Sequence, residues 1–294
     1  MRSIIVFLSV FTIVLSVCFC LDLYAQQPPQ QPPKPVRFEK LSENFYQVLD
    51  GRGAQGGVYI GDDAMLLVDS KMDSASVQQE LDELKKLTNK PIRYVVHTHA
   101  DMDHVRGNRY QPATATFVSQ ENCRKEFFLP GRNGSPSEWN APGMLRFVPS
   151  VTFRDKMDIY LGSKKVELWY FGIGHTTGDA VVYFPEEKTA FIGDMVFLNR
   201  PPLIHAFKGG NSFEVVKSLG RMLDTLDAVR FCSGHSEPVD REGIKAYIAG
   251  MKERQEKIRG LLNLGKTVDE VKKEFAANES GLVEIISGEI KAGY

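Results

Sequence analysis

Apolar residues recur along this chain at two different spacings, and each spacing predicts one kind of element. Short runs rich in β-branched and aromatic residues predict strands over 45–49, 57–60, 64–69, 92–96, 115–119, 165–171, 180–184, 189–192 and 229–233. Apolar positions three and four residues apart predict helices over 74–87, from about His104, and over 213–226, 243–262 and 267–275. Strands alternate with helices in both halves, so the pattern predicts an α/β fold.

The N-terminal part of the chain shows neither spacing. Arg2, an apolar run at 4–21 and Ala25 together are typical of a secretory signal peptide over residues 1–25. An uncleaved membrane anchor is the alternative, because about 18 apolar residues approach the shortest stretch that spans a bilayer. Residues 26–37 are rich in proline and glutamine, which predicts an extended linker. We therefore expect a periplasmic or secreted protein, with one domain over 38–240 and a helical extension over 241–294 packed on that domain.

The composition limits the partners that the chain can have. Hydrophobic residues make up 43% and charged residues 25% of the sequence, as in an ordinary globular protein. Lys plus Arg number 36 and Asp plus Glu number 37, so there is no excess of one charge to attract nucleic acid. We expect a small-molecule substrate, no nucleic acid, and membrane contact only if the N-terminal segment stays uncleaved. Cys123 and Cys232 remain after cleavage, too few for a disulfide framework, and the sequence leaves open whether they pair.

Histidine and aspartate residues collect where the predicted strands end. Alternate residues of an extended loop point the same way, so His99, Asp101 and Asp103 can offer a row of ligands. Imidazole and carboxylate donors suit zinc and other first-row metals, and one carboxylate can bridge two ions. The pattern predicts a two-metal site at one edge of the sheet. The strand-end set comprises Asp69, His99, Asp101, Asp103, His104, His175, Asp194 and His235.

The runs VVHTHADMDHVRGN, GHTTGDAVVYFPEEKTAFIGD and SGH, with LLVDS upstream, resemble the metallo-β-lactamase superfamily in order, spacing and strand context. The likeness spans residues 41–240. It implies a four-layer αββα sandwich of two mixed β-sheets flanked by helices, with the metals in a shallow cleft at one edge of the sheets. It also implies that His175 completes the first metal site, that Asp194 bridges the two ions, and that His235 joins the second site.

The family usually has an H-x-H-x-D-H motif, and this chain aligns with that motif in two ways. Starting the motif at His97 places Met102 where the fourth ligand belongs. Starting it at His99 preserves the Asp-His pair and the VRGN run that follows, so we adopt that register. Asp101 then stands where a histidine is usual. Its harder oxygen donor admits iron or manganese as well as zinc, the ion that we expect first.

Taken together, these residues predict an exported metal-dependent hydrolase in which two metal ions activate water against a β-lactam, lactone, ester or related substrate. Asp103 would bind the second metal and orient the water, Asp69 would support a ligand, and His205 would support the site or reach the substrate. The H-x-D-x-D-H pattern is also similar to the H-x-E-x-D-H of the flavodiiron proteins. A diiron redox protein is therefore one alternative, and a non-catalytic metal-binding module is another.

The long segment over residues 121–150 contains glycine, proline, Trp139 and several phenylalanines. Segments of this length either carry function or form surface excursions. We keep both interpretations, a lid over the cleft and a surface excursion with its own small hydrophobic cluster.

Overall fold

Two β-sheets face each other in the computed structural model, which describes residues 32–294. The strands are β1 (Arg37–Lys40), β2 (Phe45–Leu49), β3 (Gly56–Ile60), β4 (Met65–Val68), β5 (Ile92–His97), β6 (Thr116–Gln120), β7 (Val151–Phe153), β8 (Lys156–Leu161), β9 (Lys164–Trp169), β10 (Val181–Phe184), β11 (Thr189–Phe191) and β12 (Arg230–Cys232). The helices are α1 (Ser74–Leu87), α2 (Met102–Val105), α3 (Glu121–Glu126), α4 (Ser212–Thr225), α5 (Arg241–Asn263), α6 (Val268–Lys272) and α7 (Ser280–Lys291). The predicted signal peptide and most of the predicted linker lie outside the described residues.

Both sheets mix parallel and antiparallel pairs. The first has the order β1-β2-β3-β4-β5-β6-β7, antiparallel up to β4 and parallel from β4 to β7. The second has the order β12-β11-β10-β9-β8, in which only β11 and β12 are parallel. A helix follows β4 and another follows β11, as expected, because parallel neighbours need a long crossover between them.

Strand β4 shows how the layers form. Its alternate residues Leu66 and Val68 face the second sheet and pack with Phe184 and Phe191 in a cluster between the sheets. The intervening residues of β4 pack outward in a cluster that includes Leu84 of α1. The outer face of the second sheet is covered by α4 and the C-terminal helices. The predicted four-layer αββα sandwich of two mixed sheets is therefore confirmed.

Helix α1 has the bounds that its apolar spacing predicts. The side chain of Asp73 accepts a hydrogen bond from the backbone N–H of Ser76 and so caps the helix start. Val77 and Leu84 are buried on the inner face, while Lys85 and Lys86 lie in the last turn, where positive charge is favourable. Local pattern and tertiary packing agree in this segment.

The C-terminal region contains three helices where the periodicity predicts two. The additional helix, α7, packs Leu282, Val283 and Ile286 into the same cluster as α4. Gly281 and Gly288 weaken its helical pattern, so burial on the domain rather than intrinsic propensity stabilises it. The extension also holds the first residue of α4. The backbone N–H of Ser212 donates to Glu289 Oε1 at 2.9 Å, and its carbonyl accepts from Gln255 Nε2 at 2.9 Å.

Strands β1, β7 and β8 are likewise absent from the elements that the sequence predicts. In β8, Ile159 and Leu161 are the buried residues, and the other positions are partly or fully exposed. Two apolar residues are too few to reveal a strand by alternation. Cys123 and Cys232 are both buried and free, and Cys232 lies in the cluster between the sheets. Within residues 32–294, no helix has the length and apolar character needed to cross a membrane.

Candidate metal centre

The predicted ligands come together at one edge of the sandwich. They follow the carboxyl ends of β4, β5, β9, β11 and β12, which all point towards the same edge. Side chains placed after such strand ends converge, because the strands present their last residues side by side. Three groups of donor atoms result, two of which share His175, and the atoms of each group lie within 4.8 Å of one another. The groups are His99–His175–Asp194, Asp103–His104–His235 and Asp101–His175–His205.

The first centre is built by His99, His175 and Asp194, with Asp101 beside them. Asp101 Oδ2 lies 3.0 Å from His175 Nε2 and 3.5 Å from His99 Nε2. The other nitrogen of His175, Nδ1, lies 2.8 Å from the carbonyl oxygen of Leu203. Since the carbonyl only accepts, Nδ1 carries a proton, which leaves Nε2 as the nitrogen that would bind a metal in place of a proton.

The second centre is built by Asp103, His104 and His235. Asp103 Oδ2 lies 3.1 Å from His235 Nε2 and 3.8 Å from His104 Nε2. Asp194 belongs here too, because its Oδ1 lies 3.3 Å from His104 Nε2 and its Oδ2 lies 3.3 Å from His235 Nε2. One carboxylate thus faces both centres, which is the arrangement that a bridging ligand requires.

These residues fit a divalent cation. The buried atoms His99 Nε2, His104 Nε2 and Asp194 Oδ1 have no hydrogen-bond partner within the described residues. Leaving such a group unsatisfied costs about 1–3 kcal/mol, so three in one place point to a missing partner. Four ligands placed tetrahedrally about 2.1 Å from a zinc ion stand about 3.4 Å apart. The separations of 3.0–3.8 Å within the two centres match that spacing.

Asp69 controls the protonation of one imidazole in each centre. Its Oδ2 lies 2.8 Å from His104 Nδ1 and accepts from the Thr98 hydroxyl at 2.8 Å, and its Oδ1 accepts from the Thr98 backbone N–H. Because the Thr98 hydroxyl donates to Asp69, it accepts from His99 Nδ1, 3.0 Å away. Both histidines are thereby held with the proton on Nδ1 and with Nε2 free to bind a metal.

Two glycines make this packing possible. A Cβ on Gly234 would lie 2.4 Å from Asp194 Oδ1 and 2.6 Å from His104 Cε1. Gly193 has a φ of 53°, and a Cβ there would lie 2.6 Å from the Thr98 hydroxyl oxygen. The glycines that precede Asp194 and His235 in the sequence are therefore required by close approach inside the site.

Comparison with known proteins agrees with this geometry. The family model described as the metallo-beta-lactamase superfamily matches residues 51–235, which is more than half of the chain. The chain belongs to the metallo-beta-lactamase superfamily. Among solved structures, the DIM-1 metallo-beta-lactamase has a TM-score of 0.61 and 17% identity, over 75% of this chain and 99% of that one. A metallo-beta-lactamase from Pontibacter korlensis has a TM-score of 0.61 and 18% identity, over 74% of this chain and 99% of that one.

The curated relatives of this superfamily member are distant. The metallo-beta-lactamase type 2 of Elizabethkingia meningoseptica is 22% identical over 183 residues, covering 60% of this chain and 66% of that protein. The 2,4-dinitroanisole O-demethylase subunit alpha of Nocardioides sp. (strain JS1661) is 24% identical over 140 residues, covering 47% of this chain and 39% of that protein. The chain thus spans less than two thirds of the length of either relative.

This superfamily member carries Asp101 instead of the usual histidine, and a positively charged side chain lies beside that carboxylate. Lys208 Nζ lies 2.6 Å from Asp101 Oδ1 and 3.1 Å from the carbonyl oxygen of Ala100. The Asp101 carboxylate is therefore split, with Oδ1 held by Lys208 and Oδ2 turned towards the imidazoles. Lys208 balances the charge that Asp101 adds. No pattern in the sequence predicts this pair, because 107 residues separate the two and no motif contains Lys208.

His97 lies outside the three donor groups. It is fully buried, and its Nε2 lies 2.9 Å from Asn108 Nδ2. Its Nδ1 lies 3.8 Å from Asp69 Oδ1, beyond hydrogen-bond distance. The structure therefore brings together the ligands of the register that starts at His99, and it places His97 in the supporting layer behind them.

The charges of the site favour a cation. Burial opposes ionisation of Asp101 and Asp194, but the surrounding imidazoles outweigh it and hold the pKa of both carboxyls well below its usual range. Burial likewise disfavours a charged His175, yet its hydrogen bond to Asp101 and the nearby carboxylates raise the pKa of His175 to about 9. A metal ion competes with protons for such imidazoles, so the same negative field attracts it.

A cleft of about 470 Å³ opens next to the metal centre. Asp101, Asp103 and His205 line its floor, and much of its wall comes from the 121–150 segment. In that segment, Trp139 packs against Phe127 in a small cluster that also includes Ala100 and Val105. The segment therefore forms a wall of the cleft, and it shares its hydrophobic cluster with the part of the chain that carries the metal ligands.

Proposed function

We propose that this chain is a metal-dependent hydrolase of small molecules whose substrate binds in the cleft beside the two metal centres. The observation that carries the proposal is the carboxylate of Asp194, which joins His99 and His175 in the first donor group and lies 3.3 Å from both His104 and His235 of the second centre. Two divalent cations held there would supply the Lewis acidity that activates water near neutral pH and polarises a carbonyl or phosphoryl oxygen. The substrates that we propose are β-lactams, lactones, esters and related molecules.

Asp103 is the residue that we assign to proton transfer. It lines the cleft, and its Oδ2 contacts His235 Nε2 at 3.1 Å. Burial opposes its ionisation, but the hydrogen bond with His235 and the charge of His104 lower the pKa of Asp103, so the carboxylate is ionised at neutral pH. It can therefore orient the attacking water, accept a proton from it and deliver that proton to the leaving group.

The test begins with the metal. Purified protein should bind two equivalents of zinc, iron or manganese and should hydrolyse at least one member of a panel of β-lactams, lactones, esters, thioesters and phosphodiesters. Asp103→Asn should lower kcat by about 100-fold or more, the usual size of a general acid–base contribution. Asp224→Asn, on the exposed face of α4, is the matched control and should keep wild-type activity.

Asp101 favours a second candidate function. A third carboxylate makes the site richer in oxygen donors, which suits iron. In that case, the protein would be a diiron redox protein, and the purified sample would hold stoichiometric iron that reacts with oxygen. Metal binding with no turnover of any substrate and no reaction with oxygen would instead support a non-catalytic metal-binding module.

We also propose that the protein acts in the periplasm or outside the cell. The sequence of residues 1–25 supports this proposal, with cleavage after Ala25. The mature protein isolated from its native host should begin at Gln26. Isolation of a chain that retains residues 1–25 in the membrane fraction would overturn cleavage.

A further inference from the structure

His205 is held in the first centre by the backbone of its own loop. Its N–H donates to the carbonyl of His175 at 2.8 Å, and its carbonyl accepts from Lys208 and Gly210. Gly210 packs so closely that an added Cβ would lie 2.0 Å from the His175 carbonyl oxygen. The His205 residue is 9% exposed. The imidazole is therefore placed by packing and does not sample the solvent freely.

The orientation of the His205 ring differs from that of a hydrogen-bonded imidazole. His205 Nδ1 lies 3.0 Å from Asp101 Oδ2, yet this buried nitrogen makes no hydrogen bond within the described residues. The same is true of His104 Nε2, which lies 3.3 Å from Asp194 Oδ1 without bonding to it. In both pairs, the atoms are close but the ring nitrogen is not aimed at the oxygen. This is the geometry of two ligands that share an ion.

His97 shows that a lone unsatisfied nitrogen is not sufficient. Its Nδ1 is also buried without a partner, but it lies 3.8 Å from Asp69 and belongs to none of the donor groups. His205 differs because its Nδ1 and His175 Nε2 each lie 3.0 Å from Asp101 Oδ2, and the three residues form one of the donor groups. Three converging donors make a potential ligand set.

We propose that His205 is an additional metal ligand of the first centre and binds through Nδ1. The inference rests on the proposed metal-dependent function. It gives the first centre five protein donors, namely His99, Asp101, His175, Asp194 and His205. Structural and catalytic zinc sites usually hold three or four protein ligands. A five-donor centre of imidazoles and carboxylates therefore suits iron or manganese better, and the two centres are expected to differ in cation preference.

Counting the metal-bound imidazoles of the wild-type protein tests whether His205 is a ligand. Histidine labelled with nitrogen-15 in protein loaded with cadmium-113 shows a spin coupling for every imidazole nitrogen bound to the metal. We expect five coupled imidazoles out of the six histidines, four through Nε2 and one through Nδ1. Four coupled imidazoles, all through Nε2, would overturn the proposal. An absence of any coupling would instead refute the metal-dependent function itself.

Two variants assign the signal. In His205→Gln, the Nδ1 coupling should disappear while the four Nε2 couplings remain. Phe207→Ala is the matched control, because its ring lies 5.1 Å from that of His205 on the same loop but offers no donor. It should retain all five couplings. Persistence of the Nδ1 coupling in His205→Gln would overturn the assignment. If that variant does not fold, the number of metal-coupled imidazoles in the wild-type protein is the test of the proposal.

Discussion

Replacing Asp69 with asparagine exchanges one carboxylate oxygen for an NH₂ group of similar size, and it should alter both metal centres. The new amide keeps an oxygen for the Thr98 backbone N–H but places an NH₂ group where Oδ2 accepts from Thr98 and His104. An amide nitrogen only donates, so His104 must present Nδ1 as an acceptor. Its proton then moves to Nε2, the atom that faces Asp103 and Asp194. The side chain remains in place, but its tautomer is wrong for binding metal.

The magnitude follows from the two bonds that change. Hydrogen bonds to a charged group contribute about 1.5–3 kcal/mol each and neutral ones about 0.5–1.5 kcal/mol, so exchanging two charged bonds for neutral ones should lower the free energy of unfolding by about 2 kcal/mol. Loss of a group that orients a metal ligand typically costs about 10–100-fold in metal affinity. We expect a loss in that range at the second centre. A smaller loss is expected at the first, where Asp69 acts on His99 through Thr98.

Competitive metal titration against a chelating dye measures the two affinities, and urea unfolding of the metal-free protein measures stability. Asp63→Asn is the matched control, because Asp63 forms an exposed ion pair with Arg93 at 3.0 Å. Exposed pairs contribute about 1 kcal/mol or less. If Asp69→Asn bound both metals as tightly as this control does, the tautomer argument would be refuted.

Asp101→Ala should reduce metal occupancy, measured by elemental analysis, far more than His97→Ala does, and the reverse ranking would show that the motif starts at His97. Burial raises the pKa of the Glu80 carboxyl to about 7 in the folded protein, against 4.5 in the unfolded chain. The contribution of this group to the free energy of unfolding is therefore complete below pH 4.5 and is lost as the pH rises through about 7. The stability of the wild type relative to Glu80→Gln should therefore fall between pH 4.5 and 7, and equal unfolding curves at both ends would contradict this. Arg132 lines the cleft 4.8 Å from the Phe207 ring, so Arg132→Ala should raise KM for anionic substrates more than for neutral ones, whereas an equal rise would exclude charge recognition.

The sequence predicts the elements whose local pattern and packing agree. The apolar spacing of α1 coincides with its buried face, and the continuous apolar run of β4 predicts a buried strand. In contrast, β8 has two buried residues and α7 contains two glycines, so both depend on neighbours that are distant in sequence. Elements stabilised mainly by long-range contacts leave a weak local pattern.

The same distinction applies to the metal centre. The motifs carry His99, Asp103 and His104 within six residues, and the shared strand edge explains why the remaining ligands join them. The sequence predicts His205 at the site, but it predicts neither the orientation of that ring towards Asp101 nor the participation of Lys208. Both residues lie on an irregular loop whose path is determined by contacts with His175 and Ala100. Hydrophobic periodicity predicts neither of these contacts.

The attachment of Ser212 to the C-terminal helices has a consequence for how this protein could diversify. The loop that carries His205 and Lys208 ends at Ser212, where Glu289 and Gln255 hold the chain. At its other end, the N–H of Leu198 donates to the Ser236 hydroxyl at 3.0 Å. A loop anchored on both sides can change length at small entropic cost, roughly 0.6 kcal/mol for each doubling. Residues 199–202 are therefore the part of this loop whose length could vary between relatives, because the contacts of Leu203 and His205 with His175 fix the remainder.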